Sequence, residues 1–387
     1  MWRIFIASLF SILIISWSGC HPVKQNSGNE KYIVGYLFPR DSILNGNDIA
    51  VKQLTHINYA FANIKDGKIA QGFNNDLKNF KILNHAKKRN PNLNILISVG
   101  GWTWSGGFSD MCLSKESRSK FINSAIGFIK TNNLDGIDID WEFPNLIGYG
   151  NVYRPEDKEN FTALMKELRI ALDELGNDGK HYWLTAATGT FDDYLANTEM
   201  NKVQKFADFI NIMAYDFCEP ETDSIAGHHT QLFTNPRDPQ HTSSDAMVQK
   251  YIKLGVPPGK IVLGVAFYGH IWQVTSSDFN GLYEPGGQTK KHIRGSFKNL
   301  IQNYINKNGF VRYWDTTSSA PYLFNKDQKI FITYDDEESL QAKCRYINEN
   351  NLRGAMFWEY TSDYHSRLLN ALYDGLNNPD SKQVTSK

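Results

Sequence analysis

Leu134-Asp135-Gly136-Ile137-Asp138-Ile139-Asp140-Trp141-Glu142-Phe143-Pro144 decides how this chain of 387 residues is read. Side chains alternate faces along a β-strand. Asp138, Asp140 and Glu142 therefore share one face, and Ile137, Ile139 and Trp141 share the other. If the apolar face packs against covering helices, the acidic face must point into the middle of the fold. Uncompensated charge there costs several kcal/mol per group, so some of the protons must be retained. A step of two residues advances about 6.6 Å, which places Asp138 deepest, Asp140 above it and Glu142 at the rim. Like charges at that spacing push their proton affinities apart. Asp138 and Asp140 can share a proton, while Glu142, beside Trp and Phe neighbours, can keep its own near neutral pH. Three carboxylates on one strand cannot wrap a cation, so a metal is not expected here. Asp135 has the opposite parity and precedes a glycine, so it can serve simply to cap or turn the strand start.

Outward from this stretch, short apolar or β-branched runs recur at Tyr32–Phe38, Leu54–Ala62, Leu93–Val99, Leu134–Trp141, Tyr182–Thr188, Ala207–Ala214, Ile261–Phe267 and Arg353–Trp358. Helical patterns lie between most of them, as at Leu77–Lys88, Lys115–Thr131, Pro155–Leu175 and Ser243–Lys253. Strand-then-helix alternation argues for a parallel sheet covered by helices. Eight such strands predict closure into an α/β (β/α)8 TIM barrel, whose chemistry sits at the C-terminal strand ends. The gap before the last strand is long. It predicts a small α+β insertion subdomain at about 269–333, because loops of that length rarely stay structureless.

Composition bounds the rest. Hydrophobic residues make up 41% and charged residues 21%, which is ordinary for a globular domain and excludes wholesale disorder. Lys+Arg and Asp+Glu are both 41, so no net field draws the chain to nucleic acid or to an anionic membrane. Met1-Trp2-Arg3 followed by the apolar run Ile4 to Trp17 and Ser18-Gly19-Cys20 has the shape of an export signal. Gly19-Cys20 resembles a bacterial lipoprotein cleavage site, with Trp17 where an aliphatic residue is usual. This predicts a signal peptide at 1–19, lipidation of Cys20, a polar tether at 20–30, a catalytic domain at 31–376 and a polar tail at 377–387. Ordinary secretory cleavage nearby is the alternative; both predict export, and membrane contact only through the anchor. Cys112, Cys218 and Cys344 are an odd, widely spaced set without a CxxC pair, so stability must come from burial.

The sequence resembles glycoside hydrolase family 18, the chitinases and their relatives, over roughly Tyr32 to Tyr373. Asp135-Gly136-Ile137-Asp138-Ile139-Asp140-Trp141-Glu142 matches the DGxDxDxE signature, and Ser98-Val99-Gly100-Gly101 the SxGG motif. Met213-Ala214-Tyr215-Asp216, Gly354-Ala355-Met356-Phe357-Trp358, Gly35-Tyr36 and Asn58-Tyr59-Ala60-Phe61 fit further strand motifs. The resemblance implies retaining, substrate-assisted hydrolysis of β-1,4-linked N-acetylglucosamine chains, an exception to the two-carboxylate scheme. It implies Glu142 as acid and base, Asp140 as partner of the acetamido N–H, Asp138 as its tuner, and Tyr215 on the acetamido oxygen. Asp216 and Met213 would shape that pocket and Trp358 would floor it. No cofactor is called for, and the enzyme is expected to act as a monomer.

Other residues carry weaker expectations. Trp102 is expected as a stacking platform on the leaving side, with Trp104, Trp272 and Trp314 as lesser candidates for the same work. Tyr36 and Phe61 are expected to line the cleft, and Ser98 with Gly100-Gly101 to shape the fold around the acidic strand. His270 stands where many relatives carry Arg, and Phe143 where Tyr is common. His228-His229 has the look of a metal pair without an evident third ligand. Chitin or its oligosaccharides are the expected substrate. An endo-β-N-acetylglucosaminidase acting on N-glycans stays open as an alternative, as does a non-catalytic glycan-binding relative, although such relatives typically lose the acid.

Overall fold

The computed structural model describes residues 31–378. The expected signal peptide, Cys20, the tether and all but the first two residues of the expected tail lie outside them. The first eight strands are β1 (Tyr32–Leu37), β2 (His56–Lys65), β3 (Lys68–Ala70), β4 (Asn94–Gly100), β5 (Gly136–Asp140), β6 (Trp183–Thr188), β7 (Phe209–Ile212) and β8 (Ile261–Ala266). Then follow β9 (Gly269–Val274), β10 (Gly286–Gln288), β11 (Val311–Asp315), β12 (Ala320–Asn325), β13 (Ile330–Tyr334) and β14 (Gly354–Trp358). All of these strands but β3 and β9–β13 pair in parallel in the order β1-β14-β8-β7-β6-β5-β4-β2, and a further β1–β2 pairing closes the ring. This is a closed eight-stranded (β/α)8 barrel.

The strands are buried on both sides, which is why they read as apolar runs. Ile137, Ile139 and Trp141 face the covering layer, with exposures of 2 % or less. Trp141 stacks on Phe108 at 5.1 Å. The helix Lys115–Asn132 starts where the Ser114 hydroxyl accepts from the Ser117 amide, and it ends at Asn133 in the left-handed region with φ 50°. Asp135 anchors the opposite rim: it accepts from the Ile95 amide at 2.8 Å and pairs with Lys87 and Lys180. Among the described residues, no helix is long and apolar enough to cross a membrane.

Between β8 and β14 the chain builds a five-stranded antiparallel sheet in the order β10-β9-β13-β12-β11. Its own apolar cluster includes Trp272, Phe324 and Phe331. Trp272 is fully buried there, which corrects its expected place among the stacking platforms. Cys218 and Ala226, from the loop after β7, complete the same cluster. The wall beside the barrel mouth therefore draws on two separate stretches of chain, not on the long gap alone.

Candidate active site

β5 delivers Asp138 and Asp140 into the barrel, and the chain leaves the strand before Glu142. The strand thus ends two residues before Glu142, which the alternation places on it, and Glu142 sits in the following bend. Two hydrogen bonds hold that bend: the Glu142 amide donates to Ser105 Oγ at 2.9 Å, and Asn151 Nδ2 donates to the Glu142 carbonyl at 3.0 Å. Gly100 makes room for it. At φ 106°, a Cβ on Gly100 would lie 2.2 Å from the Asp140 carbonyl oxygen, so only glycine permits this approach.

Asp138 is fully buried and accepts on both oxygens. Tyr36 and Ser98 donate to Oδ2 at 2.8 and 2.7 Å, and Thr185 and Asn211 to Oδ1 at 2.5 and 3.4 Å. Burial pushes its proton affinity up, while these donors pull it back. Asp140 differs: its Oδ1 is buried without a partner. Burial, then Glu142 and Asp138, hold its carboxyl well above the usual range. Of the two, Asp140 is the better holder of a proton. Glu142 is raised to about 8 by burial and by the carboxylates of Asp216 and Glu219. Tyr215 keeps its phenol proton, through burial and the acids around it, and its hydroxyl lies 3.7 Å from Met356 Sδ.

Trp358, at the end of β14, is half-buried. Phe61 lies nearly parallel to it at 5.5 Å, and Tyr36 contacts it at 5.8 Å. Tyr36 and Phe61 are only 2 % and 8 % exposed, so they do not line an open cleft as expected; they support Trp358 and, through the Tyr36 hydroxyl, Asp138. Met213 is half-buried and packs in the same cluster as Tyr215 and Trp358. Trp102 stands at the rim, 47 % exposed, in ring contact with Phe143 at 6.3 Å and with the exposed Tyr149 at 5.9 Å. Trp104 makes a tilted ring contact with Phe73 at 4.9 Å, and Trp314 lies under the Arg312 guanidinium at 5.5 Å.

On the other side of Glu142, Asp216 keeps its side chain 37 % exposed. Its Oδ1 accepts from Tyr268 at 2.6 Å and from His270 Nε2 at 2.8 Å, with His229 Nδ1 at 3.5 Å. Burial alone would raise Asp216, but His229 and His270 outweigh it and hold the carboxyl well below the usual range. The histidine pair read from sequence is thereby corrected. His229 joins Asp216 and His270 in one group, whereas His228 turns away to Asp315 at 3.4 Å.

A carboxylic acid with its proton at the cleft mouth, a second acid below it and an aromatic floor are suited to protonating a bridging oxygen while a cation develops beneath it. Sequence reading missed Thr185 and Asn211 as partners of Asp138, Ser105 as the clamp on the Glu142 bend, and Tyr268 and Glu219 beside Asp216. Only inward parity on neighbouring strands could have marked Thr185 and Asn211.

A profile of the family described as Glycosyl hydrolases family 18 matches residues 29–363. Chitinase A1 of Niallia circulans is 37% identical over 95% of this chain, and the chain spans 61% of that protein's length. A solved family 18 N-acetylglucosaminidase from Paenibacillus barengoltzii superposes with TM-score 0.82 at 42% identity, covering 90% of this chain and 100% of that one. Chitinase ChiA74 from Bacillus thuringiensis gives TM-score 0.84 at 33% identity, covering 89% and 69%. With the acidic strand, its donors and its aromatic floor all in one barrel mouth, the chain belongs to glycoside hydrolase family 18.

Proposed function

We propose that this enzyme hydrolyses β-1,4-linked N-acetylglucosamine chains, chitin or its oligosaccharides, by a retaining, substrate-assisted route. Glu142 protonates the bridging oxygen as its bond to the anomeric carbon breaks. The substrate's acetamido oxygen forms the new bond to that carbon from the opposite face, giving an oxazolinium ion. Asp140 turns to accept the acetamido N–H as its shared proton moves toward Asp138, and the Tyr215 hydroxyl donates to the acetamido oxygen. Asp216 and Met213 shape the pocket around that group. Trp358 packs under the distorted ring, and Trp102 under a sugar on the leaving side. Water then attacks the anomeric carbon, Glu142 takes its proton, and the acetamido group is released intact. One feature carries this reading: burial and neighbouring carboxylates push Glu142 up to about 8, next to Asp140, whose Oδ1 is buried without a hydrogen-bond partner.

The test compares N-acetylglucosamine oligomers with glucose oligomers of the same length, following product anomers by NMR. Cleavage of the first alone, with β product formed initially, is expected. Comparable turnover of glucose oligomers, or initial α product, would overturn the route. The likeness to an N-acetylglucosaminidase spanned over its whole length supports a second reading, release of single sugars from a chain end; the product ladder separates the two. We also propose that the protein is exported and acts as a monomer anchored through lipid on Cys20. Incorporation of labelled fatty acid that vanishes in Cys20→Ala is the expected result.

A further inference from the structure

We propose that Asp216, His229 and His270 form a binding site for a borderline divalent cation such as Zn²⁺, and that filling it blocks the cleft. Asp216 Oδ1, His229 Nδ1 and His270 Nε2 belong to three separate segments of chain, yet all lie within 4.8 Å of one another. The two contacts to the carboxylate are 2.8 and 3.5 Å. They straddle the ligand–ligand separation of about 3.3 Å expected for tetrahedral zinc with bonds of roughly 2.0–2.2 Å. Glu219 Oε1, 4.0 Å from His270 Nε2, is in reach as a fourth ligand, or a water can fill that place.

An independent observation comes from His229. It is fully buried, its Nε2 has no hydrogen-bond partner, and its Nδ1 has only the Asp216 carboxylate at 3.5 Å. Its Nδ1 points to Asp216 across a gap too long for a good hydrogen bond. A buried polar group left in that state is costly, and a cation between the ring and the carboxylate would satisfy it. Two imidazoles with one carboxylate favour zinc, copper or cobalt over calcium or magnesium, which prefer all-oxygen shells. His270 and Asp216 keep 19 % and 37 % of their side chains exposed, which leaves an entry path from the cleft. A bound cation would engage Asp216, which the proposed sugar pocket needs.

The binding half of this proposal needs no particular substrate; the inhibition half rests on the function proposed above. The intact protein, stripped with a chelator, is titrated with Co²⁺ and followed by visible absorption, then with Zn²⁺ by calorimetry, both without sugar. One equivalent with the intense bands of four-coordinate cobalt is expected, displaced by Zn²⁺. His270→Gln should weaken it by at least roughly tenfold, the lower end for disturbing even an outer partner of a metal site. His229→Asn, checked for an unchanged melting temperature, should do the same. Zn²⁺ should compete with oligosaccharide, reversibly on adding chelator. No saturable binding, or binding that neither variant alters, would overturn the site and leave the histidines as hydrogen-bonding supports of Asp216. Tight binding without competition would overturn the inhibition alone.

Discussion

At the residue scale, the division of labour between acids follows from who donates to whom. Asp138 receives four donors, Asp140 Oδ1 receives none, and Glu142 faces two further carboxylates. Glu142→Gln keeps the shape and removes the proton. Its kcat should fall by about 10²–10⁴, the range for general acid–base catalysis, with oligosaccharide binding kept. The wild-type rate should decline on the alkaline side near pH 8, where Glu142 loses its proton. Stability changes with the same group. Its ordinary value is 4.5 and the folded value about 8, so the folded state binds the proton more tightly. The stability linked to that proton is therefore complete below about pH 4.5 and lost as pH rises through 8. Glu142→Gln has no proton to lose, and its melting temperature should gain on wild type between pH 5 and pH 9, roughly spanning this window. Melting curves at both values check this; a constant difference would remove Glu142 as the cause.

Elements determine how closely those residues can approach. Gly100 at the end of β4 lets the Asp140 carbonyl come within 2.2 Å of where a side chain would begin. Gly100→Ala meets both that clash and φ 106°, and should destabilise by about 1–3 kcal/mol. It should also lower kcat, because the end of β5 must shift. Denaturant unfolding and kcat on one preparation test this, and an unchanged kcat would refute the coupling. Element identity was legible where period and burial agree. The alternation at 137–141 gave the two faces of β5, and apolar runs gave all eight barrel strands. Their ends were not legible. Ala207–Ala214 reads as one strand, yet β7 stops at Ile212, because Met213 and Ala214 are apolar for packing past the paired segment, Met213 beside Tyr215 and Trp358 and Ala214 in the main core. Run length reports burial, not hydrogen-bonded pairing.

The whole molecule brings together what no local pattern could. Residues 216, 229 and 270 meet only after β8 and the added sheet are placed, so their spacing carries no signal. Likewise Trp272 is indistinguishable in sequence from a sugar platform until its sheet buries it. One ionic knot fixes that arrangement. Lys343, fully buried on the helix Glu337–Glu349, donates to Asp335 Oδ2 at 2.7 Å and to Thr230 Oγ1 at 2.8 Å. Asp335, just past β13, also accepts from the Ala266 amide of β8 at 3.2 Å, and Thr230 donates to the Ala214 carbonyl at 3.0 Å. The knot therefore ties the added sheet and the His229 segment to β8 and to the segment just after β7. Lys343→Met leaves Asp335 buried and unpaired, which should cost about 3–5 kcal/mol. Adding Asp335→Asn removes the stranded charge and should recover part of that loss. If the knot positions the wall, both variants should raise KM more than they lower kcat, since Glu142 and Asp140 hang from β5 and not from this contact. Thermal melts and steady-state kinetics on the single and double variants test the two halves separately. A stable Lys343→Met would refute the energetic claim, and an unchanged KM would refute the positioning one.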